Sequence, residues 1–184
     1  MKEIVRKIAS EFNIEFAALM AFIEVESSGK GFDPATGRIM IQFEPAWFRK
    51  LAPGAPAAEW SANKVDRQPA EWRAFNSAYV INPDAAMQST SIGLGQVMGL
   101  HYKRLGYATV GTMWDDAKRS EEKQIWQIAK FITTDNKLLN ALKNKNWHMV
   151  ATLYNGAGYK ALASRLGRTP YDISLKEAYL KYTL

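Results

Sequence analysis

Ten consecutive residues from Phe16 to Val25, broken only by Glu24, carry almost nothing but apolar side chains. A segment of this length with no polar face is read as a helix buried on all sides, around which the rest of the chain must pack. It ends in Glu26-Ser27-Ser28-Gly29, so the helix delivers a carboxyl group to the margin of the core, with Gly29 available for a left-handed cap. A carboxyl partly withdrawn from water keeps its proton to higher pH. That property suits a general acid, including one that protonates the leaving oxygen of a glycoside.

What the chain lacks narrows the chemistry further. There is no cysteine, and His101 and His148 are the only histidines. Disulfides and thiol catalysis are excluded, and zinc sites that draw on several His and Cys ligands are poorly supplied. No nucleophile turn of the G-x-S-x-G kind is present. No metal and no cofactor is expected. The net charge of +6 favours polyanionic partners, yet Lys and Arg are scattered, with only a modest concentration at Lys137, Lys143 and Lys145. No recognisable reading helix supports nucleic-acid binding. No run of about 18 apolar residues is available to cross a membrane. The first residues mix charge signs and lack a signal-peptide core, so no ordinary secretion address is expected. With 184 residues and no internal repeat, the expectation is one domain over 1–184, acting as a monomer.

The pattern along the chain is mainly α with a minor β element. Helices are expected at 2–11 and 15–26, divided near Asn13. After the turn Asp33-Pro34-Ala35-Thr36-Gly37 the residues alternate, with Ile39, Ile41 and Phe43 on one face and Arg38, Met40, Gln42 and Glu44 on the other, as in half of a small hairpin. Pro45 opens a helix to Ala52, and 53–68 reads as loop. Further helices are expected at 69–80, 83–89 and 92–105. The longest is expected from Ser120 to about Asn144, with shorter ones at 147–154, 157–166 and 174–183.

Three short motifs stand in order: Glu26-Ser27-Ser28-Gly29, then Gly93-Leu94-Gly95-Gln96-Val97-Met98, then Tyr154-Asn155-Gly156. The succession E-S-x-G, G-L-x-Q-x-M, Y-N-G resembles the lysozyme-like superfamily that holds goose-type lysozymes and soluble lytic transglycosylases. With their flanks, Val25 to Phe32, Gly37 to Glu44, Ala85 to Gly99 and Leu153 to Gly156, these segments resemble the N-acetylmuramidase domain of phage endolysins. The long gap from Glu26 to Gly93, and Gly95 where the transglycosylase motif usually has methionine, favour the endolysin family.

The resemblance implies a lysozyme-like α+β fold with a small hairpin beside a cleft. It implies hydrolysis of the β-1,4 bond between N-acetylmuramic acid and N-acetylglucosamine in peptidoglycan glycan strands, in service of host lysis. The enzyme would collect in the host cytoplasm and reach the periplasmic wall after the membrane is opened. A separate wall-binding module is not expected. Glu26 is the general acid on both the residue chemistry and the resemblance.

The second carboxylate stays open. Glu44, on the polar strand face with Gln42, is the leading candidate for the base that activates water; the alternative is that it only caps the helix at Pro45. Asp33 reads as a turn residue. Gln96, Tyr154 and Asn155 are implied to orient the sugar, as amides and a phenol suit an N-acetyl group. The alternative for Gln96 is a buried amide tying helices together. Ser91, like Thr90, is either ligand or helix cap, and Met98 either lines the cleft or fills core. Trp47, Phe48, Trp60 and Trp72 are sugar platforms or core cover. Trp114, Trp126 and Trp147 read as structural, and His101 as a polar surface group. Two other functions remain in play: a lytic transglycosylase that works with one acid and yields an anhydro sugar, and a non-catalytic wall-binding domain.

Overall fold

The computed structural model describes residues 1–27, 30–62, 64 and 67–183. The helix end expected at Ser28-Gly29 lies outside the described residues. The chain divides into two compact units, Met1–Gly29 with Ile128–Leu184 and the intervening Lys30–Gln127. Among the described residues the architecture is eleven α-helices and one three-stranded antiparallel sheet, the mainly α class with a small β element.

Among the described residues of the first unit the regular elements are all helices. Helix α1 (Lys2–Glu11) buries Val5, Ile8 and Ala9 at the spacing of one helical face. Asn13 turns the chain at φ 52°, a left-handed conformation that Asn tolerates better than most residues. In α2 (Phe16–Ser27) every residue from Ala17 to Ile23 is buried, as its unbroken apolar character requires. Four helices follow from the C-terminal part of the chain: α8 (Asn136–Lys143), α9 (Trp147–Asn155), α10 (Tyr159–Arg165) and α11 (Tyr171–Thr183). The last packs along α2 and buries Leu175 and Ala178. Lys181 Nζ lies 2.8 Å from Glu24 Oε2, and Tyr179 donates to Glu15 across 2.7 Å. Exposed pairs of this kind add little; the apolar face carries the packing.

In the second unit β1 (Ile41–Phe43), β2 (Thr90–Ile92) and β3 (Val97–Met98) form the sheet in that order. Around it stand α3 (Pro45–Leu51), α4 (Gln68–Ile81), α5 (Pro83–Gln88) and α6 (Val110–Arg119). The expected strand thus forms, with Ile39, Ile41 and Phe43 buried. Its partner is β2, some 50 residues on, with Gln42 opposite Ser91. Phe43, Phe48 and Trp60 make an aromatic cluster, ring centroids 5.9 and 4.8 Å apart. Phe48 and Trp60 are therefore core residues and not sugar platforms, whereas Trp47 is exposed beneath Lys50.

Three local expectations are overturned. Residues 92–105 are not a helix: Gly93 at φ 67° and Gln96 at φ 47° turn β2 into β3, and a short 3-10 turn follows at Gly99–His101. The reason lies in Gln124, whose buried amide accepts from Leu94 N at 2.9 Å and donates to the Ala117 carbonyl at 3.0 Å, replacing helical bonds from a distance in sequence. The helix from Ser120 is cut into α7 (Glu121–Thr133) and α8. Thr133 and Thr134 turn their hydroxyls onto preceding carbonyls, and Asp135 caps α8 by accepting from Lys137 N and Leu138 N. Among the described residues the longest helix is instead α4, with 14 residues. Residues 53–68 include a 3-10 turn, Glu59–Ala62, and α6 starts from a Thr109/Thr112 capping box to which no expected boundary corresponds.

Candidate functional site

The sequence-derived candidates fall into two sets, one in each compact unit. In the first unit they are Glu26, Tyr154 and Asn155. Glu26 occupies the last turn of α2, half-buried, and its carboxylate accepts a hydrogen bond from the hydroxyl of Tyr171, the first residue of α11. The Tyr154 ring stacks on that of Tyr171 at 6.5 Å, and the Phe22 and Phe131 rings meet Tyr154 edge-on at 4.6 and 5.5 Å. Phe22 stands one helical turn before Glu26, so the helix that carries the acid also carries part of its apolar surround.

Burial raises the Glu26 carboxyl from 4.5 to about 7, against the opposing pull of the Tyr171 hydrogen bond. Near neutral pH this group holds a proton that it can give up. Tyr171 is pushed well above its ordinary value, first by burial and then by the negative charge of Glu26 and by Tyr154, so it stays a hydrogen-bond donor. Tyr171 is absent from the sequence candidates because the last helix is expected only from 174. The signal was present: Thr169-Pro170 is a helix-start dipeptide, and the Pro170 carbonyl accepts from Ile173 N and Ser174 N. Asn155 is the exposed last residue of α9, which Gly156 ends at φ 92°.

The second unit assembles Gln42, Glu44, Ser91, Gln96 and Met98. Antiparallel pairing sets Gln42 opposite Ser91 and Ser91 opposite Met98, one cross-strand row, half-buried throughout. The adjacent row Ile41, Ile92 and Val97 is buried. Alternation therefore gathers three of the candidates on a single face of the sheet. Ser91 belongs to a strand and caps no helix.

Glu44 continues the polar face of β1. It stands at the N-cap position of α3, but its side chain makes no capping bond. It accepts instead from Gln42 Nε2 at 3.0 Å, while its backbone N–H donates to the Ser89 carbonyl at 2.9 Å. Burial raises the Glu44 carboxyl above 4.5; the bond from Gln42 opposes this, and the charge of Glu71 adds to it. Gln96 is half-buried, with Nε2 donating to the Gly93 carbonyl at 2.9 Å, so its amide braces its own turn and does not tie helices together.

Glu71 is a second residue that the pattern of the sequence left out. Only 1% exposed, it accepts from Phe43 N at 2.8 Å. One turn earlier on α4, Gln68 accepts from Ile41 N at 2.9 Å and donates to the Ile41 carbonyl at 2.8 Å. These bonds anchor β1, and with it Glu44, to α4. Asp33 serves its turn, accepting from Ala35 N and Thr36 Oγ1. His101 is half-buried, not a surface group, and burial with the Arg104 charge lowers its pKa to about 4, leaving it neutral. Among the described residues no group of three or more His, Asp or Glu could hold a metal ion, and no helix is long and apolar enough to cross a membrane.

In the first unit a proton-holding carboxyl in an aromatic surround is suited to general acid catalysis; the second unit, taken by itself, carries a raised carboxyl beside the amide of Gln42. A family model for N-acetylmuramidases matches residues 15–183, and the chain belongs to that family. It is a peptidoglycan-degrading glycoside hydrolase of the endolysin kind. The crystal structure of the Burkholderia AP3 phage endolysin is similar over 100% of this chain and 70% of its own, at 34% identity and a TM-score of 0.83. No curated protein matches the chain.

Proposed function

We propose that this enzyme hydrolyses the β-1,4 bond from N-acetylmuramic acid to N-acetylglucosamine, with Glu26 as general acid and Glu44 as general base. The observation that carries the reading is the Glu26 carboxyl, raised to about 7 by burial while Tyr171 holds its orientation. Protonated Glu26 transfers its proton to the glycosidic oxygen as that bond breaks, and positive charge spreads over the ring oxygen and anomeric carbon. Ionised Glu44 takes a proton from the water that attacks this carbon, which inverts the anomeric configuration. Exchange with solvent then returns a proton to Glu26 and removes one from Glu44.

Gln42, Ser91, Gln96 and Met98, with Tyr154 and Asn155, are the proposed sugar contacts. The amides and hydroxyls pair with N-acetyl groups and ring hydroxyls. In this reading 1–184 is one muramidase domain that acts as a monomer. It is made in the host cytoplasm and meets the wall once the membrane has been opened, leading to host lysis.

Mass spectrometry of muropeptides, with NMR of the freshly released anomer, tests the proposal. Wild type should release reducing N-acetylmuramic ends of inverted configuration, and Glu26→Gln should lose about 100-fold or more of the activity while remaining folded. An anhydro sugar product, or near-normal activity of Glu26→Gln, would overturn it. Retained configuration would remove Glu44 from the role of base.

A further inference from the structure

Helix α4 bonds β1 through Gln68 and Glu71, and Trp72 and Asn76, with Gln68 at one edge, line a concave surface along it. Three adjoining hollows of about 340, 310 and 220 Å³ all have Trp72 and Asn76 in their walls. Together they make a trough along α4, bounded on one side by the turn through Arg38 and on the other by α6 through Trp114 and Lys118. The whole trough belongs to the second compact unit.

Its chemistry is that of a site for anions with an amide backbone. Arg38 holds its guanidinium over the Trp72 ring, 5.2 Å from the centroid, a stacking that fixes the fork and leaves its N–H groups to others. Neither Arg38 nor Arg73 makes an ion pair among the described residues, and both are exposed. Two acidic residues also stand in the walls: Asp33, which accepts from its own turn, and Asp115, paired with Lys118 at 3.0 Å. Asn76 is exposed in the middle of the trough with both amide functions available. The Trp72 indole N–H is buried without a hydrogen-bond partner, a rare condition.

We infer that this trough binds the acidic stem peptide that peptidoglycan carries on its N-acetylmuramic acid residues. The inference rests on the peptidoglycan substrate and adds to it a peptide-recognition surface apart from the sugar contacts. The carboxylates of the stem meet Arg38 and Arg73. Its amides pair with Asn76, and its aliphatic segments lie against the part of Trp72 that is open to the trough. Salt weakens this attachment, as it does for exposed ion pairs.

Two measurements on the full chain test it. The first compares Arg38→Gln/Arg73→Gln with wild type on intact peptidoglycan and on glycan strands stripped of peptide by an amidase. A rise in KM of about 5-fold or more on the peptide-bearing polymer, with less than about 2-fold on stripped strands, is expected from two lost charge-assisted contacts. Equal effects on both substrates, or none on either, would overturn it.

The second measurement titrates the tripeptide L-Ala-γ-D-Glu-meso-diaminopimelate into ¹⁵N-labelled Glu26→Gln. The indole cross-peak of Trp72, assigned by its loss in Trp72→Phe, should shift. No shift, or an equal shift with inorganic phosphate, would refute peptide binding. Because it needs no turnover, this experiment can succeed even if Glu26 is not the acid, so the two readings fail separately.

Discussion

Replacing Glu26 by Gln should make the protein more stable at alkaline pH and leave it nearly unchanged in acid. In the folded chain the carboxyl is raised from 4.5 to about 7, so between these values the native state holds a proton that the unfolded chain has released. Stability therefore falls as pH rises through this window. The full loss is about 3 kcal/mol at about 1.4 kcal/mol per pH unit, reached once Glu26 ionises within its apolar surround.

Gln carries no charge at any pH, and its Oε1 can still accept from Tyr171. Any fixed packing difference between the two side chains cancels when only the pH dependence is compared. Urea unfolding, followed by tryptophan fluorescence and by far-ultraviolet dichroism at several pH values from about 4 to about 9, gives the two stability curves. The variant's advantage should grow from near zero at about pH 4 to about 3 kcal/mol above pH 8. Parallel curves over this range would refute the claim that Glu26 pays a burial penalty, and with it the physical basis for its acidity near neutrality.

Other outcomes follow from the same geometry. Tyr171→Phe removes the bond that holds the Glu26 pKa down, so the alkaline limb of the kcat/KM profile should move to higher pH; a shift to lower pH would reject the donor role. Glu71→Gln keeps an acceptor for Phe43 N but deletes the charge that raises Glu44. The Glu44 carboxyl, followed by ¹³C NMR, should then titrate at lower pH, and the acid limb of activity should move with it only if Glu44 is the base. Gly93→Ala meets both a backbone at φ 67° and the Gln124 side chain 2.7 Å from the new methyl carbon. A loss of about 2–4 kcal/mol in urea unfolding is expected from left-handed strain plus a disturbed buried amide; a change below about 0.5 kcal/mol would contradict that packing.

The sequence was most legible where a single local pattern decided the outcome. Nine apolar residues in a run of ten could only be a buried helix, and the alternation from Ile39 to Phe43 could only be a strand with one face inward. The row of Gln42, Ser91 and Met98 was legible as candidates but not as neighbours, because β1 finds its partner some 50 residues away. Gly93 to Met98 reads as helix in the sequence because the residue that shapes this turn, Gln124, sits far along the chain on α7. Glu71 escapes the sequence pattern for a related reason, and Tyr171 escapes it both for that reason and because its helix is expected only from 174. Each acts on a segment far away in sequence: Tyr171 on Glu26 and Glu71 on the strand before Glu44. Spacing along a chain encodes faces and caps well, whereas it says little about which distant side chain will supply a missing hydrogen bond.

The attachment of β1 to α4 has a consequence beyond holding Glu44 in register. The outward N–H groups of Ile41 and Phe43, and the Ile41 carbonyl, are taken by Gln68 and Glu71. These are the groups through which a fourth strand, from this molecule or another, would be recruited. An intruding strand would have to evict a buried glutamate and then set its own carbonyl oxygens where a carboxylate had been accepting. The sheet is finished at three strands on this side, and a crowded solution of the enzyme is denied one of the commonest routes into aggregates, the joining of sheets edge to edge.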